Sequence, residues 1–200
     1  FVFSGIRNPL DEIVSHYFKY KLNHNMRYSD PDILAERHWL VRSWEVRRYR
    51  FTQRDDVDFD QFFLRFFKVP YNNWSALSHA HFDFLIRFEN LKEDFSRVLE
   101  LMKIQEKRPL PLANKTAGKG RNFLEHYQSP EVRKRAKFVF GIFMKRWGYE
   151  FPADWGPSRA SLKQHFLLRT CDIARHCWWR YFRYTLHEKR LPPPPPEHSK

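Results

Sequence analysis

The spacing of apolar positions changes several times along the 200 residues, and each change marks an element. Phe1-Val2-Phe3 reads as the end of a buried strand, followed by a short loop over Ser4-Gly5-Ile6-Arg7-Asn8. A helix then begins. Asn8 is a capping residue, Pro9 suits the first helical position, and Asp11 and Glu12 place negative charge in the first turn. Leu10, Ile13, Val14 and Tyr17 recur at helical spacing and are expected to face a core. A central strand needs neighbours, so the chain is expected to be a fragment or to lack its N-terminal part.

Farther along, 35–50 predicts a second helix rich in Trp and Arg. Phe59, Phe62, Phe63, Phe66 and Phe67 predict a third, short one. From Phe82 to Phe88 the pattern switches to strict alternation, with Phe82, Phe84, Ile86 and Phe88 on one side, which is a strand. Asn90 followed by Glu93 has capping-box spacing for the next helix, whose apolar face is Phe95, Val98, Leu99 and Met102. Two strand–loop–helix units favour an α/β fold with a largely parallel sheet. Residues 105–122 form a lysine-dense loop. Ser129-Pro130-Glu131 starts a helix that runs to about Trp147, where Gly148 stops it. A basic, aromatic last helix is expected over 158–187, and the prolines at 192–196 predict an extended tail.

Composition sharpens the picture in two respects. Aromatic residues make up 18% of the chain, which argues for a packed core rather than disorder. The net charge is +13 and unevenly spread. Residues 1–101 balance 15 basic against 15 acidic residues, whereas 102–156 carry 12 against 5 and 157–200 carry 9 against 3. The positive field is therefore expected in the second half, with an anionic ligand held there in part. Cys171 and Cys177 make neither a disulfide framework nor a zinc pattern. The longest apolar run, Phe138–Met144, is far short of the ~20 residues a membrane span needs.

Two sets of residues are candidates for anion binding. Arg7 stands before the first helix and Ser15 about two turns inside it. A phosphate at that helix start is expected to meet free backbone N–H groups, a guanidinium fork and a hydroxyl. In Gly118-Lys119-Gly120-Arg121, two glycines allow close backbone approach and the flanking Lys and Arg supply charge. By spacing alone each also reads as an ordinary surface feature.

Taken together, these segments resemble a known family. FVFSGIRNPLDEIVSHY is similar to the strand–loop–helix of sulfotransferases that use 3′-phosphoadenosine-5′-phosphosulfate (PAPS). HFDFLIRFENLKEDFSRVLELM resembles a later strand of that family with its Glu-x-Leu signature, here Glu89 and Leu91. AGKGRNFLEHYQSPEVRKRAKFVFGIFMKRWGYEFP resembles the Lys-Gly-Arg loop of carbohydrate sulfotransferases, the helix after it and a terminal Gly-Tyr, here Gly148 and Tyr149.

The resemblance covers roughly 1–156 and implies a P-loop-like sulfotransferase fold. That fold would have a partial parallel sheet flanked by helices and a helix-rich C-terminal half. A basic aromatic extension (157–190) and a proline-rich tail (191–200) would follow. It implies that Arg7, Ser15, Lys119, Gly120 and Arg121 bind PAPS or its product PAP at the 3′-phosphate, with no metal. It implies sulfuryl transfer to a hydroxyl or amine, with a carbohydrate as the expected acceptor. The family's 5′-phosphosulfate loop has no counterpart here, so that loop and the catalytic base are expected upstream of Phe1, and this piece alone is expected to be inactive. The resemblance leaves location open between a Golgi lumen behind an N-terminal anchor and a bacterial cytoplasm.

Other features stand beside this reading. His79 and His81 flank Ala80 just before the second strand, a pair that fits a metal ligand, a base or a plain loop, and Asp172 and His176 are a helical pair. Asn73-Trp74-Ser75 and Asn114-Lys115-Thr116 are glycosylation sequons. The aromatic, basic stretch 171–186 offers a membrane surface, sugars or bases something to stack on, or docks on the domain. Alternative readings are a basic nucleic-acid-binding module, which requires the cations to form one stripe, and an inactive sulfotransferase fragment.

Overall fold

A computed structural model describes residues 1–37, 39–71, 82–110, 117–118, 120, 122–178 and 181. Two strands and seven α-helices follow one another along them, with four short 3₁₀ turns between: β1 (Phe3–Ile6), α1 (Pro9–Lys21), α2 (Pro31–Ala35), α3 (Trp39–Thr52), α4 (Phe59–Phe66), β2 (Phe84–Arg87), α5 (Leu91–Leu101), α6 (Pro130–Trp147) and α7 (Leu162–Cys177). β1 and β2 pair in parallel, Phe3 opposite Phe84 and Ile6 opposite Arg87. The chain is thus α/β and helix-rich, with a two-stranded parallel sheet.

α1 starts as its sequence dictates. The Asn8 side chain accepts from the Leu10 N–H at 3.0 Å, and Pro9 sits in the first turn. Its apolar face is buried at Leu10, Ile13, Val14 and Tyr17, as the helical spacing predicts. α4 has a full capping box between Asp58 and Gln61, and it buries Phe59, Phe62 and Phe63. α6 ends at Gly148, whose φ of 67° lies in the left-handed region that glycine enters at little cost.

The core is an aromatic layer between α1, α4 and α6. Phe59, Phe63 and Tyr127 meet edge-on or stacked, and Phe63 reaches Phe140 at 5.8 Å between ring centres. The fully buried Tyr127 spends its hydroxyl on the Leu10 carbonyl at 3.0 Å, which fixes the segment before α6 to α1.

Two expectations change, and of the aromatic stretch 171–186, residues 179–180 and 182–186 lie outside the described residues. The opening strand is not buried: Phe1 is 55% exposed, Val2 and Phe3 are also open to solvent, and the strand extends through Ser4, Gly5 and Ile6 instead of turning there. A two-stranded sheet leaves strand faces uncovered, and here only Ile6 and Ile86 are buried. Asn90 makes no side-chain capping bond, because a 3₁₀ turn over Phe88–Asn90 precedes α5. The Asp94 carboxylate instead accepts the Arg87 N–H at 2.6 Å. The last helix docks through a polar contact, the buried Gln164 amide donating to the Phe138 carbonyl at 2.8 Å, while Leu162 and Phe166 stay exposed.

Candidate anion site at the strand ends

Parallel strands ending side by side aim the following residues into one crevice, the usual place for a ligand in such sheets. After β1 come Arg7 and Asn8; after β2 come Phe88, Glu89 and Asn90. The Arg7 guanidinium lies 4.3 Å over the Phe88 ring. Glu89 joins three distant segments. One carboxylate oxygen accepts the Asn8 N–H at 2.6 Å, and the other accepts the Tyr149 hydroxyl at 3.0 Å. Arg87 completes the join by donating from Nη2 to the Trp147 carbonyl at 2.7 Å while lying over the Tyr149 ring. The segments around Arg7, Glu89 and Gly148-Tyr149 therefore meet in space.

Arg7, Asp11 and Ser15 lie at intervals of four along one edge of α1, the spacing at which side chains touch. Arg7 donates from Nε to the Asp11 carboxylate at 2.6 Å and from Nη2 to Ser15 Oγ at 3.1 Å, and Nη2 also forms an ion pair with Asp11. Ser15 Oγ donates in turn to the Asp11 carbonyl at 3.0 Å. Ser15 is 1% exposed, whereas the Arg7 side chain retains 21% of its surface. Arg7 thus takes the outer position and Ser15 the inner one. Nη1 of Arg7 has no acceptor among the described residues, so that end of the fork can receive an oxyanion.

The backbone contributes less than the sequence leads one to expect. The Asn8 N–H is committed to Glu89, the Leu10 N–H to the Asn8 side chain, and Pro9 has none. The sequence signals dipole compensation by Asp11 but gives no sign that its carboxylate holds Arg7.

Gly118 and Gly120 both have φ of 74°. A side chain at Gly118 would come within 3.1 Å of the Phe18 ring and 3.3 Å of Leu22. Phe18 and Leu22 continue the stripe begun by Asp11 and Ser15, so the turn covers the far half of the same helix edge. From Pro9 to Phe18 is roughly 14 Å of helix axis, so Gly118 lies well along α1 from Arg7. Lys119 and Arg121 lie outside the described residues, as do His79, His81, both sequon asparagines and the 191–200 tail.

Beside this edge, Glu12 accepts the Tyr71 hydroxyl at 2.7 Å. Burial raises the Glu12 pKa against the opposing pull of that bond and of the Arg7 charge. His16 is pushed down to about 3 by loss of water and by the positive charges of Arg48, Lys19, Arg7 and Arg27. It is neutral at pH 7, and its 3.8 Å approach to Glu12 is not then an ion pair.

Among the described residues, no group of three or more His, Cys, Asp or Glu side chains is placed to hold a metal ion, and no helix is long and apolar enough to cross a membrane. No family model matches the chain, and no curated protein or solved structure matches it.

Proposed function

We propose that this chain supplies the 3′-phosphate grip of a PAPS-dependent sulfotransferase, which moves a sulfuryl group from PAPS to a hydroxyl or amine, with a carbohydrate as the acceptor. The observation that carries the reading is the Arg7–Ser15 contact at the start of α1, beside the ends of two parallel strands. It joins residues that the family resemblance pairs for that phosphate.

On this reading Arg7 meets the phosphate through its outer Nη1 edge, and Ser15 and Asp11 hold the guanidinium in the plane that allows it. Phe88 beneath the guanidinium restricts its swing. The resemblance assigns Lys119, Gly120 and Arg121 to the same nucleotide; Lys119 and Arg121 lie outside the described residues. No described residue is assigned to activate the acceptor or to stabilise the leaving oxygen. The contribution of this chain is alignment, where a misplacement of about 1 Å costs on the order of 100-fold in rate.

The test is calorimetric titration of the chain with PAP. Binding by the wild type, weakened at least tenfold in Arg7→Ala, is the expected result. Equal affinity in the two proteins, or no binding by either, overturns the reading. PAP binding without turnover marks this chain as the inactive sulfotransferase fragment.

A further inference from the structure

A second cationic feature lies away from the strand ends, where α3 meets α4. A hollow of about 290 Å³ is lined by Trp44, Arg47, Arg48, Arg65, Phe66 and Lys68. It opens through Arg47 and Arg65 into a wider groove of about 690 Å³, where Arg42, Arg50 and Arg54 add to the positive field and Val46 and Phe51 add an apolar wall. Neither space has a carboxylate among its described lining residues. None of Arg47, Arg48, Arg65 and Lys68 forms an ion pair among the described residues.

Arg48 sets the hollow apart from the groove. Its guanidinium carbon lies 5.5 Å from the centre of the Trp44 ring, 5.6 Å from Phe66 and 5.4 Å from Phe67, so three rings hold the group in place and take part of its water. Its Nε–H is buried without an acceptor among the described residues, and its hydrogen bond to Tyr20 meets a neutral hydroxyl. The one acid of α3, Glu45, is spent elsewhere: it pairs with Arg37 and, at 3.6 Å, with Arg27. After burial, Arg48 does most to lower the His16 pKa, as a cation without a counter-ion beside it would. A held, partly dried cation of this kind costs the fold something by itself and gains most from an anion.

We propose that the hollow around Arg48 is a binding site for a phosphate monoester. The proposal does not rest on the nucleotide reading.

Three observations select this group. First, the hollow is small. Ligand pockets start at roughly 300 Å³, so it takes one compact group rather than a length of polymer. Second, four cations share that small space, and their attraction grows with the charge of the group that enters it. A phosphate monoester carries about −1.5 to −2 at pH 7, whereas a sulfate ester, a carboxylate or a nucleic-acid diester carries a single negative charge. Third, three guanidinium groups and an ammonium approach from two helices and the segment after α4. A monoester presents three terminal oxygens to such a ring of donors, more than a diester or a carboxylate can.

The test follows the Arg48 Nε–H signal in proton–nitrogen correlation spectra of the whole chain at pH 7.5. Burial shields that proton from exchange with water, so it stays visible where those of exposed arginines fade. Its absence in Arg48→Lys identifies it. Phenyl phosphate should move it saturably. Phenyl sulfate, with the same body and less charge, should bind at least tenfold more weakly, and so should a dinucleoside monophosphate with its single diester. Arg47→Gln/Arg50→Gln/Arg65→Gln strips three exposed arginines from the hollow and its opening but keeps Arg48, and it should weaken phenyl phosphate at least tenfold. Arg97→Gln on α5 should change nothing. If the triple variant loses its far-ultraviolet circular dichroism, Arg47→Gln/Lys68→Gln gives the same reading with fewer changes. A silent Arg48 signal, equal affinity for phenyl phosphate and phenyl sulfate, or unchanged binding in folded variants overturns the proposal. Inorganic phosphate and a soluble short-chain phosphatidic acid separate the sources: tighter displacement of phenyl phosphate by the first assigns the free ion, by the second a lipid headgroup. Displacement by neither overturns the proposal. Arg48 should respond to phenyl phosphate equally in Arg7→Ala, so this site and the nucleotide grip can fail separately.

Discussion

The two cationic regions of this molecule handle charge in opposite ways. At the strand ends every arginine is held: Arg7 by Asp11, Ser15 and Phe88, and Arg87 by the Trp147 carbonyl and Tyr149. Along α3 and α4 the arginines line a groove without carboxylates. A held arginine has lost water and gained partners, so it is bound into the fold. An exposed arginine without a counter-ion adds little to folding and is available to a ligand. Stability and binding should therefore separate when the two regions are altered.

The largest effect is expected at Arg7. Arg7→Ala removes one partner of a mostly covered Asp11 carboxylate, the donor to Ser15 and the outer fork, so it should lower unfolding free energy by about 1–3 kcal/mol in urea titration while weakening PAP binding. A fully stable Arg7→Ala protein would erase the distinction between the regions. Next comes Glu89→Ala, which removes the acceptor for both the Asn8 N–H and the Tyr149 hydroxyl and should cost about 1–2 kcal/mol. The matching sign in binding is a weaker PAP complex, because Asn8 and Tyr149 are no longer tied to one carboxylate.

A pH experiment sharpens the comparison from the side of α1. His16 has a folded pKa pushed down to about 3 from its ordinary value of 6.5 by partial burial and by four nearby cations, although its side chain keeps 38% of its surface in solvent, which screens those charges. The unfolded chain binds that proton more readily, so the stability due to neutral His16 is complete above pH 6.5 and lost as pH falls toward 3. His16→Gln should flatten the fall in the urea midpoint between pH 7 and pH 5. An unchanged slope would mean that the positive field of Arg48, Lys19, Arg7 and Arg27 does not reach this side chain. The smallest effect belongs to the groove. The three-arginine variant should unfold within about 0.5 kcal/mol of the wild type, as exposed surface changes do. A large loss there would show that these arginines are structural after all.

How far the sequence reveals all this depends on the range of the interaction. The start of α1, the phenylalanine face of α4 and the glycine stop of α6 follow from local spacing and capping chemistry, and they lie where that chemistry puts them. The Asn90 cap fails for the opposite reason: a longer-range demand, the Arg87 N–H bonding to Asp94, reshapes the turn. Charge was the least legible quantity. Residues 1–101 carry equal numbers of acids and bases and read as neutral, yet folding sends Glu45 to Arg27 and Arg37 and leaves the arginines of α3 together. A net count along the chain cannot show such segregation. Likewise Arg7 and Ser15 stand out as a pair, while the hold of Asp11 on Arg7 becomes visible only once side chains have directions.

The bonds that join β1 to β2 link residues about eighty positions apart: Val2 with Asp83, and Asn8 with Glu89. Closing so long a stretch is entropically expensive, and the reward is a ribbon of two short strands with solvent on its faces. The helices, with their local turns and aromatic layer, can form without it. The crevice is thus expected to assemble after the helical body and to open before it. In hydrogen exchange the amides of Gly5 and Ile86 should then exchange through a cheaper opening than those in the middle of α6, and equal protection would count against this order of events. A ligand that bridges the two strand ends would act as a clasp, drawing its affinity partly from the closure it completes.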